Sequence, residues 1–176
     1  TLFGNLGAID LSGTGGSIDN FGEILAGPGA TAVDLGATAS PSDWSVSNMG
    51  TISASGIALG FAVHGNAVVN RGLIQSTDST AVQFGFAAAG AGTNRLTNYG
   101  EIFGDSEASA ITGLNAREVI VNHGTVTNAV MTGSGNDVVV NRGLLQGAVD
   151  LGDGNDVFDG RAGTLDGAVT GGAGDD

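Results

Sequence analysis

The chemistry-bearing residues of this chain are concentrated between Met131 and Asp176, where one short phrase occurs three times. The copies are Gly133-Ser134-Gly135-Asn136-Asp137, Gly152-Asp153-Gly154-Asn155-Asp156 and Gly172-Ala173-Gly174-Asp175-Asp176. Each sets a carboxylate at the end of a turn suited to glycine, which accepts positive φ without steric cost and lets carbonyls approach one another. Carboxylate and carbonyl oxygens are the donors of a hard cation, and Ca2+ takes about six to eight of them. One five-residue loop offers too few. The closing aspartates recur after 19 and 20 residues, the length of one solenoid turn, so loops stacked a turn apart combine. On this reading Gly133, Gly135, Asp137, Gly152, Gly154 and Asp156 hold one Ca2+. The Asp156 loop shares a second with Gly172, Gly174 and Asp176. The competing reading is of ion-free glycine-aspartate turns. Three copies in register, with an apolar strand after the first two, favour the cation.

Stacked loops need a scaffold that repeats at the same interval, and two further phrases supply it. Asparagine, any residue, glycine, any residue and then an aliphatic residue occurs at Asn5, Asn20, Asn48, Asn70, Asn98, Asn122 and Asn141, with intervals of 15, 28, 22, 28, 24 and 19. Arg161-Ala162-Gly163-Thr164-Leu165 is a degenerate eighth copy. A phrase built on Ala-Val follows, as at Ala32-Val33, Ala81-Val82, Ala129-Val130, Ala148-Val149 and Ala168-Val169, and the word AVDLG occurs twice, 116 residues apart. Short β-branched runs such as Val119-Ile120-Val121 and Val138-Val139-Val140 suit a pleated surface. No long helical periodicity competes with them. The expected fold is all-β, a right-handed parallel β-helix (β-solenoid) with turns about 4.8 Å apart. Its asparagines stack at one corner, and the glycine two places on takes the bend. Residues 1–130 read as wide coils and 131–176 as narrow, roll-like coils carrying the aspartate loops, in one continuous solenoid. Loops are expected at Ala37 to Ser45, with Trp44, and at Ala87 to Thr93.

The glycine-aspartate phrase resembles the repeat of the RTX, or haemolysin-type, calcium-binding proteins. Gly171-Gly172-Ala173-Gly174-Asp175-Asp176 matches it as far as the chain goes, while Thr132 and Leu151 replace the first glycine in the other two copies. Val139 and Phe158 supply the apolar residue two places after the aspartate. The family repeat is nine residues, so a phrase returning every 19 or 20 puts calcium on one side of the coil only. The repeats as a whole are similar to those of RTX-type and autotransporter-passenger exoproteins of Gram-negative bacteria. That resemblance implies export, Ca2+ as the bound ion and a structural or adhesive role at the cell surface or in the extracellular matrix.

Composition narrows the partners. The 176 residues include 33 glycines, no cysteine, 18 acidic residues and five basic ones, a net charge of −13. Lysine is absent; the basic residues are Arg71, Arg95, Arg117, Arg142 and Arg161. Nucleic acid is a poor partner for such a surface, because phosphate binding needs clustered cations. No apolar run of 18 residues offers a membrane span. The chain begins at Thr1 and stops within a phrase at Asp176, and reads as a piece of something longer or a processed product. His123 occupies a variable slot of an asparagine phrase and reads as a solvent-facing corner residue; His64 has no sequence-near partner. Neither suggests catalysis, and no enzyme activity is expected. A polysaccharide-active or carbohydrate-binding β-helix is the alternative, and it would need a basic, aromatic-lined groove. An ice-binding array fails because Glu23, Leu73 and Glu101 interrupt the threonine row of Thr51 and Thr125. The function expected is that of a secreted calcium-binding structural or adhesive module, with self-assembly into filaments or binding of surface polysaccharide as possible associations.

Overall fold

The computed structural model of the protein describes residues 2–4, 8–37, 41–85 and 92–176. Asn5, Leu6 and Gly7 of the first asparagine phrase, and parts of both expected loops, lie outside the described residues. Twenty-three short strands and no helix are found among them. The strands form three sheets of eight, eight and seven members, paired in parallel. The chain visits the sheets in rotation, so it is an all-β parallel β-solenoid. One turn, for example, uses Glu23–Ala26 in the first sheet, Val33–Ala37 in the second and Trp44–Asn48 in the third.

Alternation within each strand decides what faces inward. In Arg117–Asn122 the buried residues are Glu118, Ile120 and Asn122. In-register pairing then turns single aliphatic residues into rows. Ile24, Ile52, Ile74, Ile102, Val126 and Leu145 line the first sheet, and Val33, Leu59, Val82, Ile111, Val130 and Val149 the second. Val46, Val68, Leu96, Ile120 and Val139 complete the core from the third. Each such side chain contributes about 1.5–3 kcal/mol over its exposed state.

The corner between the third and first sheets is held by the asparagines. Asn20, Asn48, Asn70, Asn98, Asn122 and Asn141 are buried, and Nδ2 of each of the first five donates to Oδ1 of the next at 2.7–3.0 Å. Nδ2 also donates to a main-chain carbonyl of the following turn, as Asn48 does to Leu73 at 3.0 Å. The glycine two places on takes the bend, as expected, but not because it needs a left-handed backbone. Gly50, Gly72, Gly100, Gly124 and Gly143 do not have positive φ. A Cβ on any of them would lie 2.0–2.1 Å from the carbonyl oxygen of the glycine one turn earlier. Close stacking, rather than backbone freedom, excludes a side chain here.

Two expectations need correction. Trp44 is not in a loop: it opens the strand Trp44–Asn48 and is buried. The late turns are shorter, the asparagine step falling from 28 residues at Asn20 to Asn48 to 19 at Asn122 to Asn141, but they lose no side. Val157–Asp159, Thr164–Asp166 and Val169–Thr170 still feed the three sheets. The shortening falls on the connections, which shrink from residues 104–108 in one turn to Asn128 alone in the next.

Candidate cation-binding corner

The three glycine-aspartate loops close the corner between the second and third sheets. Ser134, Asp153 and Ala173 form successive parallel bridges, so the loops are stacked in register. Gly133, Gly152 and Gly172 have φ of 91°, 91° and 102°, the left-handed region that favours glycine. The second glycines are excluded from substitution by packing: a Cβ on Gly154 would lie 1.4 Å from the Gly135 carbonyl oxygen, and one on Gly174 1.6 Å from that of Gly154. The carbonyls of Gly133 and Gly152, expected to face a cation, accept the amides of Asp153 and Ala173 at 2.8 and 3.0 Å. One lone pair of each is thereby committed to the neighbouring turn.

The closing aspartates turn inward. Asp137 is fully buried and Asp156 is 3% exposed, whereas Asp176 is exposed. Each carboxylate caps the main chain of the preceding turn. The amide of Glu118 donates to Asp137 Oδ1 at 2.7 Å, that of Asp137 to Asp156 Oδ1 at 2.7 Å, and that of Asp156 to Asp176 Oδ1 at 3.0 Å. The row continues backwards through residues that carry no glycine phrase. Glu118 pairs with Asn94, whose Nδ2 donates to Glu118 Oε1 at 3.0 Å. Asn94 Oδ1 accepts the Asn66 amide at 3.1 Å, and Asn66 Oδ1 accepts the Trp44 amide at 3.1 Å and the Ser42 hydroxyl at 2.7 Å. The early turns use amides at this corner and the late turns use acids.

That change of type has an electrostatic consequence. One oxygen of each buried acid is engaged, but Glu118 Oε2, Asp137 Oδ2 and Asp156 Oδ2 are buried without a hydrogen-bond partner. Burial pushes the Glu118 carboxyl up to about 8; the Asn94 amide opposes the rise and the neighbouring Asp137 charge adds to it. Burial likewise pushes Asp137 up to about 6, against the Glu118 main-chain amide and the Thr132 hydroxyl. Asp156 is raised by burial and by Asp176 and Asp153, with the Asp137 amide opposing. Such a row is stable in one of two forms: with its carboxyls protonated, or with its negative charge met by cations.

The donor set suits a hard cation, being all oxygen with orphaned carboxylate atoms among them. Among the described residues no three histidine or acidic side chains converge on a single point. The register instead brings Asp137, Asp156 and Asp176 together one per turn, and an ion held here would be shared between successive turns.

Outside the asparagine corner runs a second row, formed by the variable residue of each asparagine phrase. Phe21, Met49, Arg71, Tyr99, His123 and Arg142 are exposed. The Arg71 guanidinium lies 5.1 Å from the Tyr99 ring centre, and Tyr99 stacks on His123 at 4.8 Å between centroids and 11° between planes. His64, by contrast, is buried. In the degenerate eighth phrase Val140 pairs with Asp159, so Gly160 rather than Arg161 meets the asparagine row. Arg161 turns outward onto Asp159 at 2.7 Å, holding that half-buried carboxyl down to about 2. A groove of about 300 Å³ beside the Asp137 loop is lined by Gly92, Thr93, Asn115, Arg117, Gly135 and Asn136. It carries one cation and no aromatic residue. No helix among the described residues is long and apolar enough to cross a membrane.

No family model, curated protein or solved structure matches the chain. The likeness to calcium-binding repeats therefore rests on the three phrases themselves.

Proposed function

We propose that the chain is a calcium-binding structural or adhesive module of a secreted bacterial exoprotein, acting without enzymatic chemistry. The supporting observation is the change of residue type along one inward row. Asn66 and Asn94 cap main-chain amides in the early turns, so an amide side chain suffices for that task. Asp137 and Asp156 do the same work with acids, Glu118 accepts the Asn94 side-chain amide instead, and each of the three leaves one buried oxygen unpartnered. Acids in place of asparagines are explained if those oxygens meet a cation. Asp137, Asp156 and Asp176 would hold it, and Ca2+ would supply the positive charge that lets adjacent turns close.

Binding energy then becomes folding energy: a ligand bound only by the folded state stabilises it by about 2.7 kcal/mol at a hundred times its dissociation constant. In low calcium the late turns repel one another; in extracellular calcium they close. Thermal unfolding in millimolar Ca2+ against excess chelator tests this, with Asp156→Asn beside the wild type because asparagine keeps the main-chain acceptor. Calcium is expected to raise the wild-type melting temperature and to do so far less in the variant. Coincident wild-type curves would remove the calcium reading.

A second reading, carbohydrate binding, draws support from the exposed Arg71, Tyr99 and His123 stack, an aromatic and cationic ridge on an otherwise acidic molecule. All three side chains are exposed. Loss of binding to an acidic polysaccharide in Tyr99→Ala, with calcium binding intact, would favour it.

A further inference from the structure

Glu118 lies in a turn that has no glycine-aspartate phrase, preceded by Leu114-Asn115-Ala116-Arg117, yet it occupies the same inward row as Asp137 and Asp156. Its side chain is fully buried. Oε1 accepts the Asn94 amide at 3.0 Å, and Oε2 has no partner. The next acid along the row, Asp137, is also fully buried and also leaves Oδ2 unpartnered. Glutamate is one methylene longer than aspartate, and the opposite wall makes room for it. A Cβ on Gly113 would lie 2.7 Å from Glu118 Cδ. The matching residues of the next two turns, following the paired Met131 and Asp150, are Thr132 and Leu151, opposite the shorter Asp137 and Asp156. The wall and the side chain vary together, so that the Glu118 carboxylate is accommodated rather than merely tolerated.

Building on the calcium reading of the aspartate row, we propose that Glu118 and Asp137 form a further divalent-cation site, one turn before the first glycine phrase. The row of ions then begins at Glu118. The Asn94 amide closes it, because an N–H donor turned toward Glu118 Oε1 meets one carboxylate oxygen with a dipole and leaves Oε2 for the cation. Glu118 and Asp137 are both fully buried, whereas the row ends at Asp176, which is exposed.

Isothermal titration of the whole 176-residue chain with CaCl2 tests the assignment. Wild type is compared with Glu118→Gln, Glu118→Asn and Asp156→Asn, and circular dichroism in chelator checks that each variant folds. Asparagine is included because Asn94 fills the equivalent place in the preceding turn. Loss of one bound Ca2+ in both Glu118 variants, with the remaining ions kept, is the expected result. Unchanged number and affinity in those variants, with loss in Asp156→Asn, would overturn the Glu118 site and leave the aspartate loops standing. Loss in the Glu118 variants with none in Asp156→Asn would uphold the site and confine binding to it. A wild type that takes up no Ca2+ would overturn both readings.

Discussion

Two corners of the same turns are each built from one inward polar residue per turn, and they solve the same problem with opposite chemistry. At the corner between the third and first sheets, an asparagine both donates and accepts, so Asn98 gives Nδ2 to Asn122 Oδ1 and receives Asn70 Nδ2. The row is neutral and saturates itself. At the corner between the second and third sheets, Glu118, Asp137 and Asp156 only accept when ionised. Such a row covers main-chain amides but always has an oxygen to spare, as the three orphaned atoms record. An amide ladder is complete from the chain alone; an acid ladder needs something from solution, either a proton or a cation. The first corner makes the solenoid, and the second makes part of it conditional.

The largest loss is expected at the glycine columns, which both corners share. Gly72→Ala and Gly154→Ala each drive a methyl into a carbonyl oxygen, at 2.0 and 1.4 Å before relaxation. A loss of about 3 kcal/mol or more is expected in urea unfolding of either variant. The loss should be the same in calcium and in chelator if the columns are purely steric. Asn98→Leu comes next. It strips partners from two buried neighbours and a main-chain carbonyl, at about 2–3 kcal/mol, and this cost should not change between pH 5 and 8.

The acid corner should behave otherwise. Folding raises both carboxyls, so the folded chain keeps protons that the unfolded chain releases. Their contribution is complete below the ordinary values of 4.5 for Glu118 and 3.8 for Asp137, and is lost as pH rises through about 8 and about 6. In chelator, stability measured by urea midpoint should therefore fall from pH 5 to pH 8. Calcium should flatten or reverse that slope, because a bound cation favours the ionised form. Asp137→Asn retains an acceptor for the Glu118 amide, and in chelator at pH 8 it should be more stable than wild type by about 1 kcal/mol. A variant that is less stable there would make the acid row a purely structural ladder. The smallest effect belongs to the outer ridge: Tyr99→Ala, at an exposed position, should shift stability by under about 1 kcal/mol.

The solenoid was legible because its signals are local and recur. Each asparagine phrase carries its ladder residue, its packed glycine and its core aliphatic within five positions, and the rows at Ile52, Ile74 and Ile102 follow directly. The AVDLG words fall on the second sheet, where Val33 and Val149 are both core. The acid row was only half legible. The glycine phrase drew attention to Asp137 and Asp156, and hid that Asn66, Asn94 and Glu118 stand in the same row. A spacing would have found them: Asn66, Asn94, Glu118 and Asp137 each lie four residues before a ladder asparagine, Asn70, Asn98, Asn122 and Asn141. The inward turn of the aspartates was not readable, because motif resemblance says which atoms are available and not which way the corner points them. Nor was the role of the packed glycines, since a missing side chain looks the same in sequence whether it serves torsion or contact.

The sheet hydrogen bonds all run along the solenoid axis, from each turn to the next. A pull between the two ends of the chain therefore loads the interfaces between turns in series, and the weakest joint yields first. The asparagine column is a fixed fastener at every joint it spans. The acid column lies along the same load line, but its grip depends on what the surrounding fluid supplies. On the calcium reading proposed above, a tether built this way has a late portion whose breaking force is set by its chemical surroundings.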